Sequence, residues 1–258
     1  MKFNTFGNKN NPIIVMLTGS FAPSESIENI YSKLYNDYYI IVPIYNGHYV
    51  NSKNFTTRQE EASEIYKYIK ENKIKKIKMI YGQSMGCEIG MELLDQLIKN
   101  EIKVEKAFFD GGPFIKLSKL YKLFMYFKFK TMIKMFRNKT IDEIMNWKFF
   151  KQFAGNKIEA LRPMIESLLY ITPYLTNDSI KNEVECCYTF DFPKMDESMQ
   201  KNIFFFYGED EKAYKTCFKY IKKAYPHSNY RVESGHGHIT FACENNEEYI
   251  DLLKSICL

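Results

Sequence analysis

The sequence predicts an α/β protein with a mostly parallel sheet flanked by helices on both faces. Five short apolar runs alternate with helical patterns, and strands that alternate with helices form parallel sheets. A parallel sheet is covered on both faces, which favours apolar strands of this kind. The runs are PIIVMLT (12–18), YYIIVPI (38–44), IKKIKMIYG (74–82), KVEKAFFD (103–110) and NIFFFYG (202–208), and a weaker sixth run is NYRVES (229–234).

The helices between these runs are predicted from apolar spacing and capping signals. Two overlapping capping boxes in Thr56–Glu60 begin a helix over 57–72, in which Ile65, Tyr66 and Ile69 share one face. Similar patterns predict helices over 24–34, 85–99, 212–224 and 244–256.

The alternation of strands and helices breaks in one long block, 113–200, which has a helical pattern throughout. Prolines at Pro163 and Pro173 predict an internal break there. We therefore expect a core domain made of 1–112 and 201–258, with the block inserted between two of its strands.

The composition argues against several classes of function. The formal net charge of +5 is too small to indicate nucleic-acid binding, and no GxGxxG or GxxxxGK[ST] nucleotide motif occurs. The six cysteines lack metal-ligand or disulfide spacing, which predicts reduced thiols. The N-terminal residues lack the layout of a secretion signal, and the apolar run 13–17 is too short to span a bilayer. We expect a cytoplasmic protein with no metal and no organic cofactor, and the oligomeric state stays open.

The first candidate functional stretch is YGQSMG (81–86), which places Ser84 between two glycines. It follows a strand pattern and begins a helix pattern, as a nucleophile elbow does. In such a turn the serine Oγ is exposed and the next backbone N–H points into the site. Gly82 and Gly86 leave room for the crowded turn. A serine that merely serves the turn is the alternative interpretation.

A serine hydroxyl needs a base to take its proton, and a histidine oriented by a carboxylate is the usual one. The chain has four histidines. His236 and His238 lie in VESGHGHIT, a glycine-rich loop after the last strand. We expect His48 to shape the loop after the second strand and His227 to lie in a surface turn.

Taken together, these features resemble the α/β-hydrolase fold superfamily. The resemblance rests on YGQSMG, the GHGH loop, YGEDE after the penultimate strand and LTGSF after an early strand, and it covers nearly the whole chain. It implies the α/β-hydrolase fold, with 113–200 standing where such enzymes carry a helical cap. It also implies the chain order nucleophile, acid, histidine, which this sequence has.

The resemblance assigns a catalytic role to several residues. Ser84 matches the nucleophile, and His238 matches the histidine, with His236 as its runner-up. Backbone N–H groups of Ser20 and Met85 match the oxyanion hole. The acid stays open among three carboxylates: Glu211, which we favour slightly, Asp210, and Asp110, which is otherwise expected to cap the DGG turn.

The chemistry implied is hydrolysis of a carboxylic ester or thioester through an acyl-enzyme, as in a carboxylesterase or thioesterase. The expected partner is a small-molecule ester or acyl substrate. A non-catalytic ligand- or lipid-binding protein on the same scaffold is the alternative. Cys87 follows the elbow where a small residue is common, and we interpret it as a packing variant.

The stretch 113–151 holds ten Lys or Arg residues and two acidic residues. Three interpretations stay open: a cap with an apolar acyl pocket, a helix in weak contact with an anionic membrane surface, and a cap helix with a solvated lysine face. The helical period places six basic residues on one third of the helix: Lys116, Lys119, Lys122, Lys130, Lys134 and Arg137.

Overall fold

A computed structural model describes residues 1–137, 139–147, 159 and 162–258. Its centre is a seven-stranded sheet in the order β1-β3-β2-β4-β5-β6-β7, in which β1 is antiparallel to β3 and the other pairs are parallel. The prediction of a mostly parallel α/β sheet is therefore confirmed. The strands are β1 (Lys2–Phe6), β2 (Ile13–Leu17), β3 (Tyr39–Ile44), β4 (Lys76–Gln83), β5 (Lys103–Asp110), β6 (Ile203–Gly208) and β7 (Asn229–Glu233).

Strand β1 was not predicted, because its residues KFNTF form no continuous apolar run. It is an edge strand with every residue at least partly exposed, so it needs less apolar sequence than the central strands.

Helices cover both faces of the sheet and form the block between β5 and β6. The predicted helix over 24–34 is a 3₁₀ turn followed by one short α-helix, and the predicted helix over 244–256 is preceded by another short helix. The helices are α1 (Glu28–Tyr31), α2 (Arg58–Glu71), α3 (Met85–Lys99), α4 (Lys119–Phe136), α5 (Ile141–Met145), α6 (Arg162–Ile171), α7 (Asn177–Tyr188), α8 (Glu197–Gln200), α9 (Lys212–Ala224), α10 (Thr240–Glu244) and α11 (Asn246–Cys257).

The sheet divides the core into two layers, as the alternation of side chains along a strand requires. Val15 and Leu17 of β2 point into the layer with α2, α3 and α9. Ile14 and Met16 point into the opposite layer with α1 and α11. All four side chains are fully buried, which fixes the register of β2 because a one-residue slip would exchange the layers.

The described part of the block between β5 and β6, which we call the helical block (119–200), contains α4 to α8. Helix α4 begins where the Ser118 side chain accepts a hydrogen bond from the Tyr121 N–H, at 3.3 Å. It packs on α7, with Ile133 of α4 in one apolar cluster with Ile180 of α7. The predicted extent of a cap over 113–200 stays a prediction.

The predicted stripe of six basic residues on one helix face is wrong. Lys116 precedes α4 and forms an ion pair with Asp191 at 2.9 Å. Lys122 pairs with Glu185 of α7, and Arg137 follows the helix and donates to backbone carbonyls. In the described ranges, no helix is long and apolar enough to cross a membrane.

Candidate active site

Ser84 lies in the tight turn between β4 and α3, with φ 52° and ψ −123°. Positive φ is uncommon for a residue with a side chain and costs about 1–3 kcal/mol when strained. Two backbone hydrogen bonds hold the turn: the Ser84 N–H donates to the Asp110 carbonyl at 2.8 Å, and the Cys87 N–H donates to the Ser84 carbonyl at 2.9 Å. Strain held by the surrounding backbone in this way is typical of functional sites.

The two glycines beside Ser84 are required by close packing. A Cβ atom on Gly86 would lie 2.4 Å from the Leu17 carbonyl oxygen, and one on Gly82 would lie 2.6 Å from the Gly86 oxygen. Both distances are too short for a real Cβ contact, so only glycine lets α3 approach β2 and β4 this closely. Close packing thus explains why both positions are glycine. It does not explain why a serine occupies the strained position between them.

His238 and Glu211 form a hydrogen-bonded pair at the neighbouring end of the sheet. His238 Nδ1 donates to Glu211 Oε2 at 2.7 Å, and the other carboxylate oxygen, Oε1, accepts from the Gly208 N–H at 2.7 Å. The Glu211 carboxylate is buried, whereas the His238 side chain is 39% exposed. The Gly208 N–H therefore fixes the Glu211 carboxylate on the side away from His238, and the imidazole stays accessible to a ligand.

The other acid and histidine candidates in these loops point elsewhere. Asp210 is exposed, with its Oδ1 3.7 Å from Lys215 Nζ. His236 Nδ1 lies 3.6 Å from Glu244 Oε2, and its ring packs edge-on against Phe241. The structure brings together His238 and Glu211, whereas the partners of the Asp210 and His236 side chains lie outside this pair.

Gly111 links the positions of Ser84 and His238. Gln83 is opposite Asp110 in the β4–β5 register, so Ser84 and Gly111 follow directly at the ends of adjacent strands. A Cβ atom on Gly111 would lie 2.6 Å from His238 Cε1 and 3.0 Å from Glu211 Oε2. The imidazole therefore rests on the Gly111 backbone, at the same sheet edge as Ser84.

Asp110 lies beneath this arrangement rather than in it. Its Oδ2 accepts a 2.7 Å hydrogen bond from the Tyr249 hydroxyl of α11, so it ties β5 to that helix, whereas the sequence predicted a cap of the DGG turn. Burial raises the pKa of Asp110 to about 7, and the nearby charge of Glu211 adds to the rise.

The pKa of His238 results from opposing effects. Desolvation lowers it, but the hydrogen bond and charge of Glu211, with a smaller contribution from Asp110, raise it further than desolvation lowers it. The net result is a pKa above the usual 6.5.

The loop after β2 passes directly over Ser84. A Cβ atom on Gly19 would lie 3.2 Å from the Ser84 Cβ and 3.8 Å from its Oγ. Ser20, the predicted oxyanion-hole residue, therefore follows a residue in contact with the serine. Met85 is the first residue of α3, where backbone N–H groups have no acceptor within the helix. Both predicted N–H donors thus lie on segments that adjoin Ser84.

A buried carboxylate from the helical block holds this loop. Phe21 has a left-handed φ of 56°, and its N–H donates to Glu183 Oε2 at 2.8 Å. The other oxygen of Glu183 accepts from His48 Nε2 at 2.9 Å. Glu183 is fully buried, so α7 and the loop after β3 together fix the backbone that follows Ser20.

Sequence reasoning missed Glu183 and assigned His48 only to shaping its loop. One signal for Glu183 was available: it lies between Ile180, Val184 and Cys187 on one face of α7, and an acid within an apolar stripe needs a partner. Its partners are more than 130 residues away in sequence, so the signal could not identify them.

Two further findings bear on the chemistry. The Cys87 thiol is buried, and its single S–H faces two acceptors, the carbonyls of Gly82 at 3.2 Å and Asp110 at 3.3 Å. Burial raises its pKa, as suits a packing residue. Among the residues that the structure describes, no group of three or more His, Cys, Asp or Glu side chains could hold a metal ion.

The chain was compared with known proteins. No protein-family model and no curated protein sequence matches it. Solved structures do: a protein assigned to the α/β-hydrolase family from Desulfitobacterium hafniense aligns over 100% of both chains, with 17% identity and a TM-score of 0.76. The esterase EaEST from Exiguobacterium antarcticum aligns over 99% of this chain and 94% of its own, with 16% identity and a TM-score of 0.70.

A third similar structure has a different activity in its name. The bromoperoxidase from Bacillus anthracis aligns over 98% of this chain and 94% of its own, with 15% identity and a TM-score of 0.72. Together with the sheet order, these alignments show that the chain has the α/β-hydrolase fold. At such low identity they show the fold alone, because one fold supports several chemistries.

Proposed function

We propose that this protein is a serine hydrolase that cleaves a carboxylic ester or thioester with Ser84, His238 and Glu211. The observation that carries the proposal is the strained Ser84 backbone, held at φ 52° beside the hydrogen-bonded His238–Glu211 pair. The ψ of −123° takes Ser84 out of the ordinary left-handed helical region, and strain of this kind clusters at functional sites. The esterase among the similar structures supports the same class of reaction.

In the proposed reaction, the Ser84 Oγ attacks the carbonyl carbon while its proton passes to His238 Nε2, the ring nitrogen that Glu211 leaves free. The Ser20 and Met85 N–H groups stabilise the oxyanion, each by about 10²–10³-fold. Collapse of the tetrahedral intermediate releases the alcohol or thiol, which takes the proton from His238. A water molecule, deprotonated by the same imidazole, then hydrolyses the acyl-enzyme to the carboxylic acid and free Ser84.

Labelling with a fluorophosphonate probe tests the nucleophile directly. We expect one covalent adduct, mapped to Ser84 by peptide mass analysis and absent in Ser84→Ala. The matched measurement is hydrolysis of p-nitrophenyl esters and acyl thioesters of increasing chain length. Loss of both labelling and hydrolysis in His238→Asn, with both retained in His236→Asn, would support the assigned base.

If folded protein gives no adduct on Ser84 and hydrolyses neither ester series, the proposal is wrong. The α/β-hydrolase scaffold would then serve to bind a ligand, which was the alternative from the sequence.

A further inference from the structure

Helix α4 (Lys119–Phe136) exposes an apolar face that is contiguous from Leu120 to Phe127, with Met135 two turns further along. The exposed fractions are 78% for Leu120, 50% for Leu123, 61% for Phe124, 54% for Phe127 and 51% for Met135. At 3.6 residues per turn these five side chains project from the same side of the helix. Single exposed apolar residues are ordinary, but a contiguous set marks an interaction surface. We call this set the α4 apolar face.

Lysines border the α4 apolar face on both sides. The helical period places Lys128 on one flank and Lys119 on the other, and it places Lys134 among the apolar side chains at the C-terminal end of the face. All three are exposed, and none forms an ion pair with any described residue. The 18 residues of α4 include five lysines and no acid.

The opposite side of α4 is buried in the protein. Ile133 and Phe136 are buried there, and the Phe129 ring lies 5.3 Å from the Phe21 ring in the loop over Ser84. Lys122 pairs with Glu185 on this side. The helix therefore cannot turn its apolar face inward without losing these contacts.

We propose that the α4 apolar face docks on an anionic phospholipid bilayer, with the helix lying in the plane of the interface. Apolar side chains would enter the acyl region while lysine stems extend alongside them and keep their ammonium groups among the headgroup phosphates. The charge selects this partner over a second copy of the chain, because a symmetric contact would bring two lysine-bordered faces together. The proposal goes beyond the hydrolase function and does not depend on it.

Helix α9 (Lys212–Ala224) provides a matched control within the same chain. It also has five lysines and no acid, but its single exposed large apolar residue is Tyr220, at 47%. Non-specific attraction of basic helices would involve α9 as much as α4. Docking through the α4 apolar face would not.

The test is co-sedimentation of the full chain with phosphatidylcholine vesicles that contain about 30% phosphatidylserine, or none, over a series of salt concentrations. We expect binding only to the anionic vesicles, weakened by salt. The combined change Leu120→Ser, Phe124→Ser and Phe127→Ser should weaken binding by about 1000-fold, since each buried large apolar side chain contributes about tenfold. The combined change Lys119→Gln, Lys128→Gln and Lys134→Gln should weaken it by about 100-fold, at about fivefold for each lysine.

The α9 controls should bind within about threefold of the wild type. They are Tyr220→Ser, and the combined change Lys219→Gln, Lys222→Gln and Lys223→Gln. Thermal melts check that each variant is folded, which we expect because all the changed side chains are exposed. Ser84→Ala should bind the vesicles as the wild type does, so the experiment distinguishes a failure of the hydrolase proposal from a failure of the membrane proposal.

Several outcomes would overturn the proposal. They are no binding by the wild type, equal binding to vesicles without phosphatidylserine, and equal loss in the α4 and α9 variants. A lipid-free dimer that dissociates in the α4 serine variant would also overturn it, because a second copy would then cover the face.

Discussion

The carboxyl edge of the sheet and the helical block contribute different things to the candidate site. The edge supplies Ser84, His238 and Glu211 from short loops, each held by backbone hydrogen bonds or close packing. The helical block supplies none of these three, but its Glu183 holds the loop over Ser84. In the proposed function, the sheet edge would supply the chemistry, while the block holds the loop over Ser84 and forms part of the outer surface.

The largest effect should come from the edge itself. Glu211→Gln removes the negative charge behind His238, and we expect kcat/KM for an ester substrate to fall about 10³-fold or more. Asp210→Asn is the matched control, since it changes the adjacent and exposed carboxylate, and it should leave kcat/KM within about twofold. Equal losses in the two variants would contradict the assignment of Glu211.

An intermediate effect should come from the helical block. Glu183→Ala removes the acceptor of the Phe21 N–H, and the loop that carries the Ser20 N–H becomes free to move. We expect kcat to fall about 10–100-fold, less than the loss of a whole oxyanion donor, with KM changed little.

A merely structural role for Glu183 would give a different result. Glu183→Gln keeps an oxygen that can accept from the Phe21 N–H, so it should recover most of the lost kcat. A fall in kcat that simply follows the melting temperature, with no recovery in Glu183→Gln, would contradict positioning by Glu183.

A smaller effect should appear in the pH dependence. The proposed base must be neutral, so activity rises as the pH passes through the pKa of His238, which is above the usual 6.5. Asp110 and Glu211 are the carboxylates that raise this pKa. Asp110→Asn removes one of them, so the acid limb of the kcat/KM profile should move to lower pH. The plateau should stay within about threefold, because Asp110 lies outside the pair. An acid limb that does not move would show that Asp110 has no charge to lose in this pH range.

The same division explains how much could be predicted from the sequence. Strands β2 to β7, the helices α2, α3 and α9, and the loops of Ser84, Glu211 and His238 follow from local patterns, because period, capping and turn residues act over a few positions. The contact between Glu183 and Phe21 and the outward face of α4 depend on how distant elements pack. The sequence pattern of α4 alone grouped six basic residues on one face and left the role of that face open, since it could not show which side α7 covers.

The smallest effect concerns stability, at the junction of the two regions. Glu88 of α3 is fully buried, and neither carboxylate oxygen has a hydrogen-bond partner among the described residues. Burial raises its pKa well above 4.5, against the opposing charge of Arg58. The folded state therefore holds a proton that the unfolded state releases, so the stability from Glu88 is present below its unfolded pKa and is lost as the pH rises.

Glu88→Gln places an uncharged side chain of the same shape at this position at every pH, so it should remove the loss of stability at high pH. By chemical denaturation, we expect the variant to have the higher free energy of unfolding at pH 8, with a difference from the wild type that grows as the pH rises above 4.5. The unfolding free energies of the two proteins should become equal towards pH 4.5, where the wild-type carboxyl is protonated in the folded state. Glu92→Gln on the same helix, where the side chain is partly exposed, is the control and should show no such divergence. Parallel stability curves for Glu88→Gln and the wild type would mean that the buried carboxylate is charged and that Arg58 neutralises it.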